Sequence, residues 1–289
     1  MIPTQNIVAW SKAAPWAEPR QVEQDLIIAR ALVELFGDPF LRDELRFRGG
    51  TALNKLHFPK PLRYSEDIDL TRTKAGASKP IWDRVHDLLD PWLGKPEYFR
   101  SQIAPALRYT VPAEDTSSTI RLKIEINEVE IAPFDPPQTM RFKVDNPWFS
   151  GTADISTFST EEVLSTKLRA LLQRNKGRDL VDLAHALDAF PKLDVQRTVD
   201  MFGEYVKQKP IPRWEAEKRM FEKLERRGFL ADVHPLLAAE ERGRFDDAAG
   251  RRAFQQVFEA VISRIPGNAW ATTPELFKKH GFGYEPDKP

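Results

Sequence analysis

The sequence has no cysteine in its 289 residues. That excludes disulfides and thiolate metal sites, and it fits a reducing compartment. It has no apolar run approaching the roughly 18 residues of a transmembrane helix, so no membrane partner is expected. The opening stretch MIPTQNIVAWSKAAPWAEPR lacks the basic start and apolar segment of a secretory signal, which makes the cytoplasm the expected location. Nor is there an excess of charge of either sign, since Lys plus Arg and Asp plus Glu both number 43. Proteins that coat nucleic acid carry a basic excess, so any such contact here has to come from a local patch. The five histidines (His57, His86, His185, His234, His280) show no metal-ligand spacing. Internal repeats and low-complexity segments are absent too. The rest is ordinary globular composition, in a chain long enough for one large or two modest domains.

The most informative stretch runs from Arg48 to Leu70, RGGTALNKLHFPKPLRYSEDIDL. Gly49 and Gly50 lie between a strand-like LRFR (Leu45 to Arg48) and a helix-like segment from Gly50 to His57. Glycines there allow close backbone approach, and amides at the start of the helix offer donors to an anion. Gly49, Gly50 and Thr51 are therefore candidate phosphate contacts, with Thr51 adding a hydroxyl. Lys55 shares a helix face with Thr51; it either reaches a phosphate or is an ordinary exposed lysine. Further on, Ser65-Glu66-Asp67-Ile68-Asp69-Leu70 reads as a strand. Alternation puts Ser65, Asp67 and Asp69 on one face, successive residues about 6–7 Å apart, and Ile68 and Leu70 in the core. Aspartate is disfavoured in strands, and two held together repel, which a divalent cation relieves.

The remaining chain divides into two halves. Trp10 and Trp16 sit in a proline-punctuated arm expected to be irregular, and a helix follows from Gln21 to Phe36. A surface helix is expected over Ser78 to Leu93, then strands around Tyr98 to Val111 and Thr119 to Ile131. In the second of these, Ile120, Leu122, Ile124 and Ile126 alternate with Arg121, Lys123, Glu125 and Asn127. Glu125 is a candidate third metal ligand, or else an outward glutamate beside Lys123. Pro133 to Gly151, with four prolines, reads as a loop or edge segment close to a domain boundary. Ser159-Thr-Glu-Glu162 is a capping box for a helix carrying Lys167. A break at Asn175 to Arg178 precedes a second helix from Asp179 to Phe190, and helical patterning continues to about Ile265. The fold class expected is thus α/β (α+β), with a mixed sheet and helices in residues 1–150 and a mainly helical 151–289. Two basic groups, Arg169/Arg174/Lys176/Arg178 and Lys207/Lys209/Arg213/Lys218/Arg219, are where RNA phosphates would be met.

The pattern GG-T-A-L-x-K followed by S-x-D-x-D resembles the nucleotidyltransferase superfamily. Within it, the chain is similar to the AbiEii/AbiGii (MenT-like) toxins of bacterial type IV toxin–antitoxin systems. KLRALL joined to RDLVDL resembles the C-terminal motif of that group. The resemblance implies a nucleotidyltransferase-fold sheet and places Ser65, Lys167 and Asp182 in the active site beside Asp67 and Asp69, with Arg178 and Asp179 near the nucleotide. It implies Mg²⁺ or Mn²⁺ held by Asp67, Asp69 and Glu125, with an NTP as substrate. It further implies the 3′ end of tRNA as acceptor and a cognate antitoxin as partner. The residues alone leave open nucleotidylation of a protein hydroxyl, kinase-like phosphoryl transfer and a non-catalytic NTP-binding regulator.

Overall fold

Residues 2–283 are described by a computed structural model of the chain. The N-terminal half contains α1 (Thr4–Trp10), α2 (Pro19–Gly37), α3 (Pro39–Glu44), β1 (Leu45–Arg48), α4 (Gly49–Ala52), β2 (Asp67–Arg72) and α5 (Lys79–Leu93). Five strands follow: β3 (Glu97–Phe99), β4 (Ala106–Pro112), β5 (Thr119–Asn127), β6 (Gln138–Asn146) and β7 (Phe149–Thr157). The remainder is helical: α6 (Thr160–Gln173), α7 (Gly177–Ala189), α8 (Val195–Tyr205), α9 (Arg213–Leu224), α10 (Ala239–Arg242), α11 (Asp247–Ala260) and α12 (Thr273–His280). A mixed sheet in the first half and helices in the second agree with the expected fold class.

The seven strands form one sheet in the order β3-β4-β5-β2-β1-β7-β6. β2 pairs in parallel with β5, and β1 with β7, while the other neighbours are antiparallel. Strict alternation along β5 buries Ile120, Leu122, Ile124 and Ile126 and leaves the intervening polar residues facing outward. Each such isoleucine is worth about 1.5–3 kcal/mol of burial. They join Phe47, Ile68 and Leu70 in a core shared with the apolar face of α2. α2 stops at Gly37 because Asp38 turns extended and caps α3, its carboxylate accepting from the Leu41 amide at 2.9 Å.

Two local readings change. The N-terminal arm is not irregular throughout, since it opens with α1. Its tryptophans are buried in the core, where each indole N–H is satisfied by donating to Asp25, at 2.8 Å from Trp10 and 3.1 Å from Trp16. Pro133 to Gly151 is not a boundary loop: its second part forms the long hairpin of β6 with β7, paired from Gln138↔Thr157 to Asn146↔Phe149. Three of the prolines end at Pro137, just before the ladder begins, and Pro147 lies in the turn between the two strands, so none removes a ladder amide.

By packing, the chain forms two compact units. One comprises 1–163 with 236–241, the other 164–235 with 242–289. A division after residue 150 would cut β7, whereas this one falls inside α6. Within the second unit, Phe221 meets Phe254, Phe258 and Phe277 at ring-centroid distances of 5.4–5.5 Å, tying α9, α11 and α12 together.

Candidate active site

β2 carries Asp67 and Asp69 half-buried on one face, while Ile68 and Leu70 are buried on the other. β5 lies parallel to it with Lys123 opposite Asp67 and Glu125 opposite Asp69. On the other side, Arg48 of β1 is opposite Asp69 and donates to Glu130 at 3.1 Å. One face of the central sheet therefore gathers acids and bases from three strands. The Lys123 ammonium is bonded to the Glu125 carboxylate. Burial opposes the charge on Lys123, but Glu125 and then Asp67 and Asp69 outweigh it and hold the lysine above its ordinary range.

The glycine turn is packed against this acid pair. Gly49 has φ +82°, and a Cβ built there would fall well inside van der Waals contact of Asp69 Oδ2. Only glycine satisfies both the left-handed backbone and that approach. α4 starts at Gly49, and a π-helical turn over Leu53–His57 continues it. Two expectations change at this point. Ser65 is not on the strand, which begins at Asp67. Its hydroxyl lies 2.8 Å from that of Thr51, which is itself buried and donates to the Asp67 carbonyl. The Thr51 hydroxyl is thus a strut between helix and strand. Lys55 is not an exposed lysine: it is ion-paired at 2.7 Å with Asp25, both side chains under a tenth exposed. Thr51, Lys55, Arg63 and Ser65 line one cavity of about 220 Å³ together with Trp10 and Trp16.

Within the second unit, Lys167 on α6 lies 3.0 Å from Asp182 and 3.4 Å from Asp179, both on α7. All three are buried, the two carboxylates fully. Arg174 grips Asp179 with two bonds, 2.7 and 2.8 Å. Burial pushes the Asp179 carboxyl up, but Arg174 and Lys167 overcome it and hold it below the usual carboxylate range. Arg178 lies in the first turn of α7, half-buried. The start of α7 is fixed because Gly177 packs on the Phe229 carbonyl so closely that a Cβ there would clash. The two basic groups are less cationic than their composition. Arg174, itself exposed, is bound to Asp179, while Arg213, Lys218 and Arg219 pair with Glu217, Glu222 and Glu215 along α9.

The residues present suit a magnesium–nucleotide site. Mg²⁺ is commonly bound by one or two carboxylates together with substrate phosphates, not by an all-protein cage. Asp67 and Asp69 on one face, with the Asp69 carboxylate seated against Gly49, provide that donor set. Among the described residues no group of three His, Cys, Asp or Glu side chains is placed to hold a metal ion. Glu125 is accordingly not gathered with the aspartates into a three-ligand set; it is taken up by Lys123. Sequence reasoning passed over Asp25; it took Arg174 for part of a basic group and Lys123 only for a neighbour of Glu125. Lys123 stood on the polar face of a recognised strand, whereas nothing local marked Asp25 as buried.

The family model described as the nucleotidyl transferase AbiEii toxin of type IV toxin–antitoxin systems matches residues 30–260. The chain belongs to this family. As an AbiEii-family protein it is a nucleotidyltransferase by class. Its fold is similar to that of the MenT4 nucleotidyltransferase toxin of Mycobacterium tuberculosis, with a TM-score of 0.59 and 18% identity over 88% of this chain and 94% of that one. It is also similar to JHP933 of Helicobacter pylori, with a TM-score of 0.56 and 16% identity over 91% and 96% of the respective chains. A comparison with curated proteins finds no match. Among the described residues, no helix of this AbiEii-family chain is long and apolar enough to cross a membrane.

Proposed function

We propose that the protein is a Mg²⁺-dependent toxin that transfers nucleotides from an NTP to the 3′ end of tRNA and so blocks translation. The observation that carries the reading is the pair Asp67 and Asp69 on one strand face, with Gly49 packed against Asp69. Family membership supplies the reaction class. In the reaction, the acceptor oxygen bonds to the α-phosphorus, the bond from that phosphorus to the bridging oxygen breaks, and pyrophosphate leaves as the hydroxyl gives up its proton.

Asp67 and Asp69 would hold Mg²⁺ or Mn²⁺, which supplies charge neutralisation at the phosphates. The Gly49-Gly50 turn brings backbone close to where an anion would lie. Thr51 and Ser65 keep that turn attached to β2, so that Asp67 is presented at a set height. Lys167 and Asp182, the family's motif pair, are assigned to the same reaction, with Asp182 and Asp179 holding the ammonium in place. A cognate antitoxin and a cytoplasmic setting accompany this reading.

The test is incubation with total tRNA, Mg²⁺ and each α-labelled NTP in turn. Label on tRNA with the native chain, falling at least about a thousandfold in Asp67→Asn, is the expected result. Label on protein instead would discard the acceptor and keep the chemistry. Transfer from a γ-labelled but not an α-labelled NTP would reveal a kinase, and pyrophosphate-free binding a regulator.

A further inference from the structure

Lys123, a cation on the acidic face of β2 and β5, has no role in the reaction just described. Lys123 lies opposite Asp67 in the parallel register and binds Glu125, the residue opposite Asp69. Its own side chain and that of Glu125 are both about one-third exposed, at 34% and 31%. The pair thus borders solvent on the face that Asp67 and Asp69 share. An alternating strand puts residues 123 and 125 on the same side, so the lysine cannot leave this face without a register slip. A structural ion pair has no need to be set beside two further carboxylates.

We propose that Lys123 is the resident counter-ion of this carboxylate cluster: it holds Glu125 out of the donor set and keeps divalent-cation binding weak until a nucleotide brings its phosphates. The proposal rests on the metal–nucleotide reading above and adds to it a number of acids, two and not three, and an order of events. A positive charge a few ångströms from a cation site repels the incoming dication, and it neutralises in advance part of the charge that attracts it. With the triphosphate present, the added negative charge outweighs the lysine. The arrangement also lowers the mutual repulsion of the carboxylates on this face when no nucleotide is bound.

Binding of Mn²⁺ to the full chain, followed by the paramagnetic resonance of the free ion, tests this without any turnover. Lys123→Met and Lys123→Gln both remove the charge, and the side chain's exposure means that neither opens the core. Both are expected to bind Mn²⁺ roughly tenfold more tightly than the native chain in the absence of nucleotide. Lys123→Arg keeps the charge and is expected to stay within about twofold of native on the same scale. In Lys123→Met/Glu125→Gln, where the net charge of the face is native again, the affinity should return toward the native value.

Unchanged or weaker Mn²⁺ binding in the neutral variants, with native binding that still depends on Asp67, would overturn the proposal and leave the metal reading standing. The same holds if the neutral variants lose nucleotide affinity but not Mn²⁺ affinity, which would make Lys123 a phosphate contact. If no form binds Mn²⁺ in a way that Asp67→Asn abolishes, even with an NTP present, the metal reading and this proposal fall together.

Discussion

Gly49→Ala offers a sharp test of how the turn and the acid pair are joined. Two costs arise at this position. The left-handed backbone at φ +82° charges any residue with a Cβ about 1–2 kcal/mol. The new methyl also lies within contact of Asp69 Oδ2, so the carboxylate must leave its rotamer, at about 0.5–1.5 kcal/mol more. The sum is about 1.5–3.5 kcal/mol of stability, read from urea unfolding. Activity should suffer more than stability, because a displacement of about 1 Å in a group near the chemistry costs on the order of a hundredfold. Gly281→Ala is the control. Gly281 is left-handed at φ +69°, and a Cβ there would meet nothing within 4 Å. It carries the backbone cost alone, so an excess loss in Gly49→Ala reports the clash with Asp69. If Gly49→Ala lost no more stability than Gly281→Ala and kept its transfer rate, the coupling of the glycine turn to Asp69 would be wrong.

The buried clusters supply two further predictions. His57 is buried between the hydroxyls of Thr157 and Thr160, and burial lowers its pKa to about 4. The unfolded chain then binds the extra proton first, so stability is full above about pH 6.5 and is lost as pH falls towards 4, by about 3 kcal/mol in all. Unfolding at a series of pH values should show this slope, and His57→Gln should flatten it; an unchanged slope would place the loss elsewhere. Lys167→Met removes the cation between two fully buried carboxylates and should destabilise the chain by about 3–5 kcal/mol. Asp182→Asn leaves Lys167 still beside Asp179 and should cost less; equal losses in denaturant would refute that ordering.

Much of the architecture could be read from local pattern. The run Leu45 to Arg48 is a strand with the expected ends, and α2 and α5 lie within two residues of where periodicity put them. β5 alternates as its sequence does. The capping box was half legible: Ser159 accepts the Glu162 amide at 3.2 Å, but the Glu162 carboxylate turns instead to the amides of Phe134 and Asp135. The hairpin of β6 and β7 escaped notice because prolines crowd its entrance and its outer strand, at the sheet edge, buries little. α1 escaped because it is only seven residues long.

What the sequence by itself determined is what periodicity encodes: which residues form a strand or helix, which face is apolar, and hence that Asp67 and Asp69 point the same way. A family motif added the names of the other candidate residues. What only the tertiary structure decided is who stands next to whom. The register of β5 on β2 gave Glu125 and Lys123 their neighbours, and a helix far upstream supplied Asp25 as the partner of Lys55. The start of β2 at Asp67 left Ser65 to Thr51. Alternation reports a face, never a neighbour across the ladder, because pairing joins segments far apart in the chain, and their alignment is set by the packing of the whole core.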